Sequence, residues 1–140
     1  MSPEPVNREV KMIVGLGTDI VSTERIAAVW DKNGEAFAVR ICRSDEENYL
    51  QCNGDPVMRL AKIWAAKEAA VKALGTGFAQ GVTFKDIALR HNADGKPELE
   101  FYGRAKEILQ TLVSGGTANI LISLSDDKPF AQAVVIIEKI

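Results

Sequence analysis

Trp64-Ala-Ala-Lys67-Glu68-Ala-Ala-Val-Lys72-Ala-Leu-Gly75-Thr76-Gly77 reads as the end of an amphipathic helix whose charges stand in the wrong place for a plain core element. At about 100° per residue, Val57, Leu60, Trp64, Val71 and Leu74 fall on one apolar arc. Lys67 and Glu68 fall inside that arc and Lys72 at its edge. A buried charge is costly unless it is paired or bound to a metal. The helix therefore either carries an internal salt bridge or lines a polar, ligand-filled cleft. The Gly75-Thr76-Gly77 that follows suits a backbone that comes close to phosphate.

Working outward, Asp55 can cap this helix, Pro56 suits its first position and Gly75 ends it after Leu74. Asn53-Gly54 breaks the chain before it. Upstream, Met12-Ile-Val-Gly-Leu-Gly opens an apolar strand that becomes a loop at Thr18-Asp19. Ser22 caps a helix to about Lys32, and a second helical piece covers Glu35 to Arg40. Ser44 with Glu47 looks like a capping box for a helix to about Cys52. Downstream, Val82 to Leu89 reads as a strand, Asn92 to Pro97 as a turn, and a short strand runs to Phe101. Tyr102 to Val113 reads as an amphipathic helix, and 119–125 and 131–137 as paired strands. The mixture lacks a regular βαβ alternation, so the fold class is α+β, an antiparallel-rich mixed sheet packed with a long central helix. Residues 1–11 are polar, hold two prolines and read as a flexible extension; 12–140 form a single domain.

Composition narrows the function. A net charge of −2 gives no global basic field for nucleic acid. No apolar run approaches the ~20 residues that span a bilayer, and the N-terminus lacks a signal-peptide core. Two cysteines and one histidine match no zinc spacing. These features imply a cytoplasmic protein with no membrane or nucleic-acid partner.

Asp19 ends a strand in Gly15-Leu-Gly17-Thr18-Asp19. Two readings are open: a turn aspartate bonding its own backbone, or a carboxylate held for Mg²⁺, a hard cation that takes oxygen ligands. Glu68 is either an ion-pair partner of Lys72 or the second oxygen ligand. Lys67 and Lys72 either snorkel to solvent or neutralise phosphate oxygens. His91 reads as a surface histidine, Trp30 and Trp64 as core, and Ser123 and Ser125 as strand residues or phosphate contacts.

Together, Val14-Gly-Leu-Gly-Thr-Asp19-Ile-Val and, about fifty residues later, Trp64-x-x-Lys67-Glu68-Ala-x-x-Lys72-Ala-x-Gly-Thr-Gly resemble the 4'-phosphopantetheinyl transferases of the short, holo-[acyl-carrier-protein] synthase type. The similarity spans about residues 12 to 140, including Asp94-Gly-Lys-Pro97 and Ile122-Ser-Leu-Ser125. The resemblance implies transfer of phosphopantetheine from coenzyme A to a serine of an apo acyl carrier protein, with release of adenosine 3',5'-bisphosphate. By it, Asp19 and Glu68 match metal-binding carboxylates and Lys72 a phosphate-contacting lysine. Lys67, Gly75, Thr76 and Gly77 fall to the coenzyme A site. It implies a homotrimer in which Gly95-Lys96-Pro97 of a neighbour approaches the adenine end of coenzyme A. Arg25 matches a position that meets the acidic carrier. Ile63 departs from the family's Arg and Asp126 from its His; Lys62 or Arg59 is the expected substitute for that Arg. The competing readings are a non-catalytic carrier-binding trimer of the same fold and an unrelated Mg²⁺-dependent nucleotide hydrolase. The base is either Glu68 or a water that the carboxylates orient.

Overall fold

A computed structural model describes residues 10–46 and 55–140. The chain runs β1 (Met12–Ser22), α1 (Thr23–Asn33), α2 (Glu35–Ile41), α3 (Pro56–Leu74), β2 (Ile87–His91), β3 (Pro97–Phe101), α4 (Gly103–Leu112), β4 (Ala118–Asp127) and β5 (Phe130–Lys139). The α+β class is as expected. The strands divide into two antiparallel sheets, β1-β5-β4 and the β2-β3 hairpin.

The centre of the molecule is α3. Asp55 accepts from the Val57 amide at 2.9 Å and Pro56 occupies the first turn. Gly75, at φ 83, closes the far end in the left-handed conformation that glycine adopts without a Cβ penalty. Leu60, Ile63 and Val71 are fully buried together with Ala61, Ala65, Ala66, Ala69 and Ala70. A helix buried nearly all round with so many alanines lets other backbones come close. β1 uses this: a Cβ on Gly17 would lie 1.9 Å from the Ala69 carbonyl oxygen, and one on Gly15 2.3 Å from that of Ala73. Glycine is required at both because strand and helix touch through their backbones.

Ala131, Ala133, Val135 and Ile137 of β5 point at the same core. On the opposite face, Leu16, Ile136 and Leu121 stand side by side across β1, β5 and β4. Leu16 is 65% exposed, Ile20 62% and Leu121 42%, an apolar ladder facing outward.

Two expectations change, and two others fall largely outside the described residues. β1 does not become a loop at Thr18-Asp19 but runs on to Ser22, with Asp19 opposite Ala133, because β5 pairs with it that far. The strand at 82–89 begins only at Ile87, because Asp86 accepts from the Thr83 amide at 2.9 Å and winds Phe84–Asp86 into a 3-10 turn. From Ser44 only the 3-10 turn Ser44–Glu46 is described, and the rest of the helix to Cys52, with its capping residue Glu47, lies outside the described residues. Of the 1–11 extension only Val10 and Lys11 are described, both exposed. Among the described residues no helix is long and apolar enough to cross a membrane.

Candidate active site

The close approach of β1 to α3 sets the site. Asp19 follows Gly17 on the strand face turned to the helix, and Glu68 precedes Ala69, which Gly17 touches. Lys72, one turn beyond Glu68, reaches over the strand. Its Nζ donates to the Thr18 carbonyl at 3.0 Å and to Asp19 Oδ1 at 3.2 Å. Asp19 Oδ2 is buried with no hydrogen-bond partner among the described residues. A buried carboxylate oxygen is a costly orphan unless something outside the protein binds it.

Glu68 is half-buried on the same face. Burial pushes its carboxyl above the ordinary 4.5, the charge of Asp19 pushes it further, and Lys72 and Arg25 draw it back. With Asp19 near enough to raise Glu68, the two carboxylates form an anionic pair that a cation relieves. Among the described residues no three His, Cys, Asp or Glu side chains gather as a metal group. Two carboxylates suit Mg²⁺, which keeps several non-protein oxygens. The donor set and the orphaned Oδ2 therefore fit the ion.

The reading of Glu68 as an ion-pair partner of Lys72 gives way, since the lysine bonds Asp19 instead. Asp19 is likewise no plain turn aspartate. Arg25, on α1, stands at the rim with its guanidinium 5.9 Å from the Trp64 ring centroid. Its helix begins where Ser22 Oγ accepts from the Arg25 amide at 3.4 Å.

Lys67 is corrected. Neither of its two open readings holds, because it is fully buried and its ammonium donates to the Ile41 carbonyl, Glu46 Oε1 and the Phe84 carbonyl at 2.6, 2.6 and 3.0 Å. All three donors are used, so none is left for a phosphate. Burial draws this ammonium below its usual range, and Glu46 opposes that. The helix thus carries the internal salt bridge its charge pattern allowed at Lys67, and at Glu68 a half-buried carboxylate within reach of the Asp19 charge.

Gly75-Thr76-Gly77 is corrected in part. The Gly75 amide donates to the Lys72 carbonyl, and the Thr76 and Gly77 amides donate to that of Val71, each at 3.2 Å. The amides close the helix, so they offer no cradle of free N–H groups. Nothing lies within 4 Å of a Cβ built on Gly75 or Gly77, so that surface is open.

Gly95 and Lys96 lie in the β2–β3 turn and Pro97 opens β3 opposite His91; Asn92 Oδ1 accepts from the Asp94 and Lys96 amides at 2.9 and 3.0 Å. No hydrogen bond or ion pair among the described residues joins this turn to Asp19, Glu68 or Lys72. Of the two departures, Ile63 is wholly in the core, and Asp126 forms an ion pair with Lys62 at 3.0 Å.

The order of these parts, from the β1 aspartate to the α3 lysine, matches a family model, the 4'-phosphopantetheinyl transferase superfamily, over residues 15–131. The chain belongs to that superfamily. Its relatives include the holo-[acyl-carrier-protein] synthase of Hydrogenovibrio crunogenus, 49% identical over 91% of this chain and 98% of the relative. The solved synthase of Neisseria meningitidis is 43% identical with a TM-score of 0.78, covering 90% of this chain and 98% of that one. The Bacillus anthracis synthase, solved with CoA (3',5'-ADP), is 35% identical with a TM-score of 0.73 over 91% of this chain and 97% of that one. The resemblance drawn from Asp19 and from Trp64 to Gly77 is therefore borne out for this transferase. Sequence reading missed Glu46 as the partner of Lys67, because nothing local marks an acid 21 residues upstream as its mate.

Proposed function

We propose that this protein is a holo-[acyl-carrier-protein] synthase that moves 4'-phosphopantetheine from coenzyme A to a serine of an apo acyl carrier protein. The observation that carries the reading is the buried, unpartnered Asp19 Oδ2 on the face shared by Glu68 and Lys72. The identity to holo-[acyl-carrier-protein] synthases over most of the chain agrees with it.

In this reading Asp19 and Glu68 hold Mg²⁺, which when bound draws charge from the coenzyme A pyrophosphate and fixes it for attack. Lys72 turns from Asp19 to a phosphate oxygen, a short move for a half-exposed side chain. The serine oxygen bonds to the β-phosphorus while the bond to the bridging oxygen breaks, and adenosine 3',5'-bisphosphate leaves with that oxygen. The serine proton passes to Glu68, or to a water that the two carboxylates orient. Coenzyme A would run past the open surface at Gly75 and Gly77, with Thr76 between them.

The outward ladder of Leu16, Ile136 and Leu121 supports a homotrimer, since a surface of that kind on a monomer marks an interface. In the trimer a neighbour's Gly95-Lys96-Pro97 turn reaches the adenine end of coenzyme A. Arg25 meets the acidic carrier, and the protein works in the cytoplasm.

Incubation with coenzyme A, Mg²⁺ and an apo carrier tests the activity. A carrier heavier by one phosphopantetheine supports it. Carrier binding without a mass change would leave the non-catalytic reading, and breakdown of coenzyme A without transfer would leave the hydrolase. Light scattering on the eluting protein gives the oligomer mass, and a monomer would refute the trimer.

A further inference from the structure

Lys67 and Glu46 are the two buried charged residues among those described, at 0% and 2% exposure. Besides Lys67, Glu46 accepts from the Arg43 amide at 2.7 Å and the Leu89 amide at 3.0 Å. Lys67 in turn holds the carbonyls at the end of α2 and in the 3-10 turn at Phe84. One ion pair thus ties α3 to α2, to both 3-10 turns and to β2. The mechanism makes no use of it. A pair this costly to bury gives no stability argument for its presence, because apolar residues of similar volume often serve as well.

Its position on the helix is informative. At about 100° per residue, Lys67, Glu68 and Ala69 point in three successive directions round α3. Ala69 is clamped against Gly17 by backbone contact, and Lys67 is clamped by three polar bonds. Glu68 lies between the two clamps. The same pair also draws in Phe84, whose ring lies 5.0 Å from that of Trp64, the residue one turn before Glu68.

We infer that Lys67 and Glu46 are positioning residues that fix the roll of α3 about its axis and so hold Glu68 in register with Asp19. The inference rests on the assignment of Glu68 and Asp19 to the metal. With side chains about 6 Å from the axis, a roll of about 10° moves the Glu68 carboxylate by about 1 Å. A shift of that size in a reacting group costs on the order of 100-fold in turnover.

Lys67→Met keeps the length and removes the charge, while Glu46→Gln keeps the size and one acceptor oxygen. Both are measured cold, where circular dichroism shows them folded. The readouts are the Mn²⁺ dissociation constant, from the free Mn²⁺ resonance without substrates, and kcat with both KM values. The expected result is weaker Mn²⁺ binding by about 10-fold and kcat lower by about 100-fold, with the carrier KM within about twofold. If Lys67→Met does not fold, Glu46→Gln decides, with the same directions and smaller size. A folded variant with wild-type Mn²⁺ binding and kcat, altered only in melting temperature, overturns the inference. Wild-type protein that takes up no Mn²⁺ overturns the metal assignment and the inference with it.

Discussion

Gly17→Ala adds one methyl group and separates two explanations of the Gly-x-Gly stretch. The new Cβ would lie 1.9 Å from the Ala69 oxygen, 2.7 Å from the Ala73 nitrogen and 2.9 Å from the Ala69 carbon. These are backbone atoms of a buried helix and cannot swing aside. Recovering an ordinary contact of 3.4 Å requires β1 and α3 to part by about 1.5 Å. Overpacking of this kind costs about 1–3 kcal/mol of stability. Asp19 is two residues along the strand from the displaced point and Glu68 is next to Ala69, so most of the opening appears between the two carboxylates. A misplacement near 1 Å lowers turnover by about 100-fold. The assay is carrier loading by mass spectrometry at several Mg²⁺ concentrations, with a melting curve alongside. Gly15→Ala is the comparison. Its Cβ meets the Ala73 oxygen at 2.3 Å, further from the carboxylates, so it should lose comparable stability and less turnover. A Gly17→Ala protein that melts lower yet keeps wild-type kcat and Mg²⁺ dependence would refute the claim that backbone contact sets the carboxylate spacing.

Glu68→Gln should lose nearly all carrier loading. Because the Glu68 pKa is raised, the folded state binds the proton more tightly than the unfolded chain, and ionisation destabilises the fold as pH climbs above 4.5. Metal-free Glu68→Gln should therefore melt no lower than wild type at neutral pH, the difference vanishing below 4.5; a lower melting point throughout would contradict this. Lys72→Ala frees Asp19 of its ion pair and should raise the coenzyme A KM by about 10-fold, with the carrier KM little changed, and equal changes in both would count against a phosphate contact. Arg25→Glu should raise the carrier KM and flatten its salt dependence, since exposed charges act over a Debye length of about 8 Å, and carrier kinetics that overlay wild type from low to high salt would remove Arg25 from the docking surface.

Local chemistry in the chain determined a good deal. Asp55, Pro56 and Gly75 mark the ends of the central helix, and Ser22 marks the start of α1, because capping depends on neighbours a few residues away. The misplaced charges on the apolar arc announced that Lys67 and Glu68 were special, and Asp19 with Glu68 and Lys72 could be named as one set. The sequence left open what each charge does. Lys67 and Glu68 are adjacent and alike in setting, yet one is sealed in an ion pair with Glu46 and the other stays half-buried beside the charge of Asp19. That division follows from where α2, the Phe84 turn and β1 come to rest against α3, which are contacts between segments distant in the chain. The start of β2 at Ile87 likewise turned on one side-chain bond from Asp86 that outweighed strand propensity. The spacing of the carboxylates was decided in the same way: the glycines are visible in the sequence, but only the packed helix reveals that there is no room for a Cβ beside Ala69.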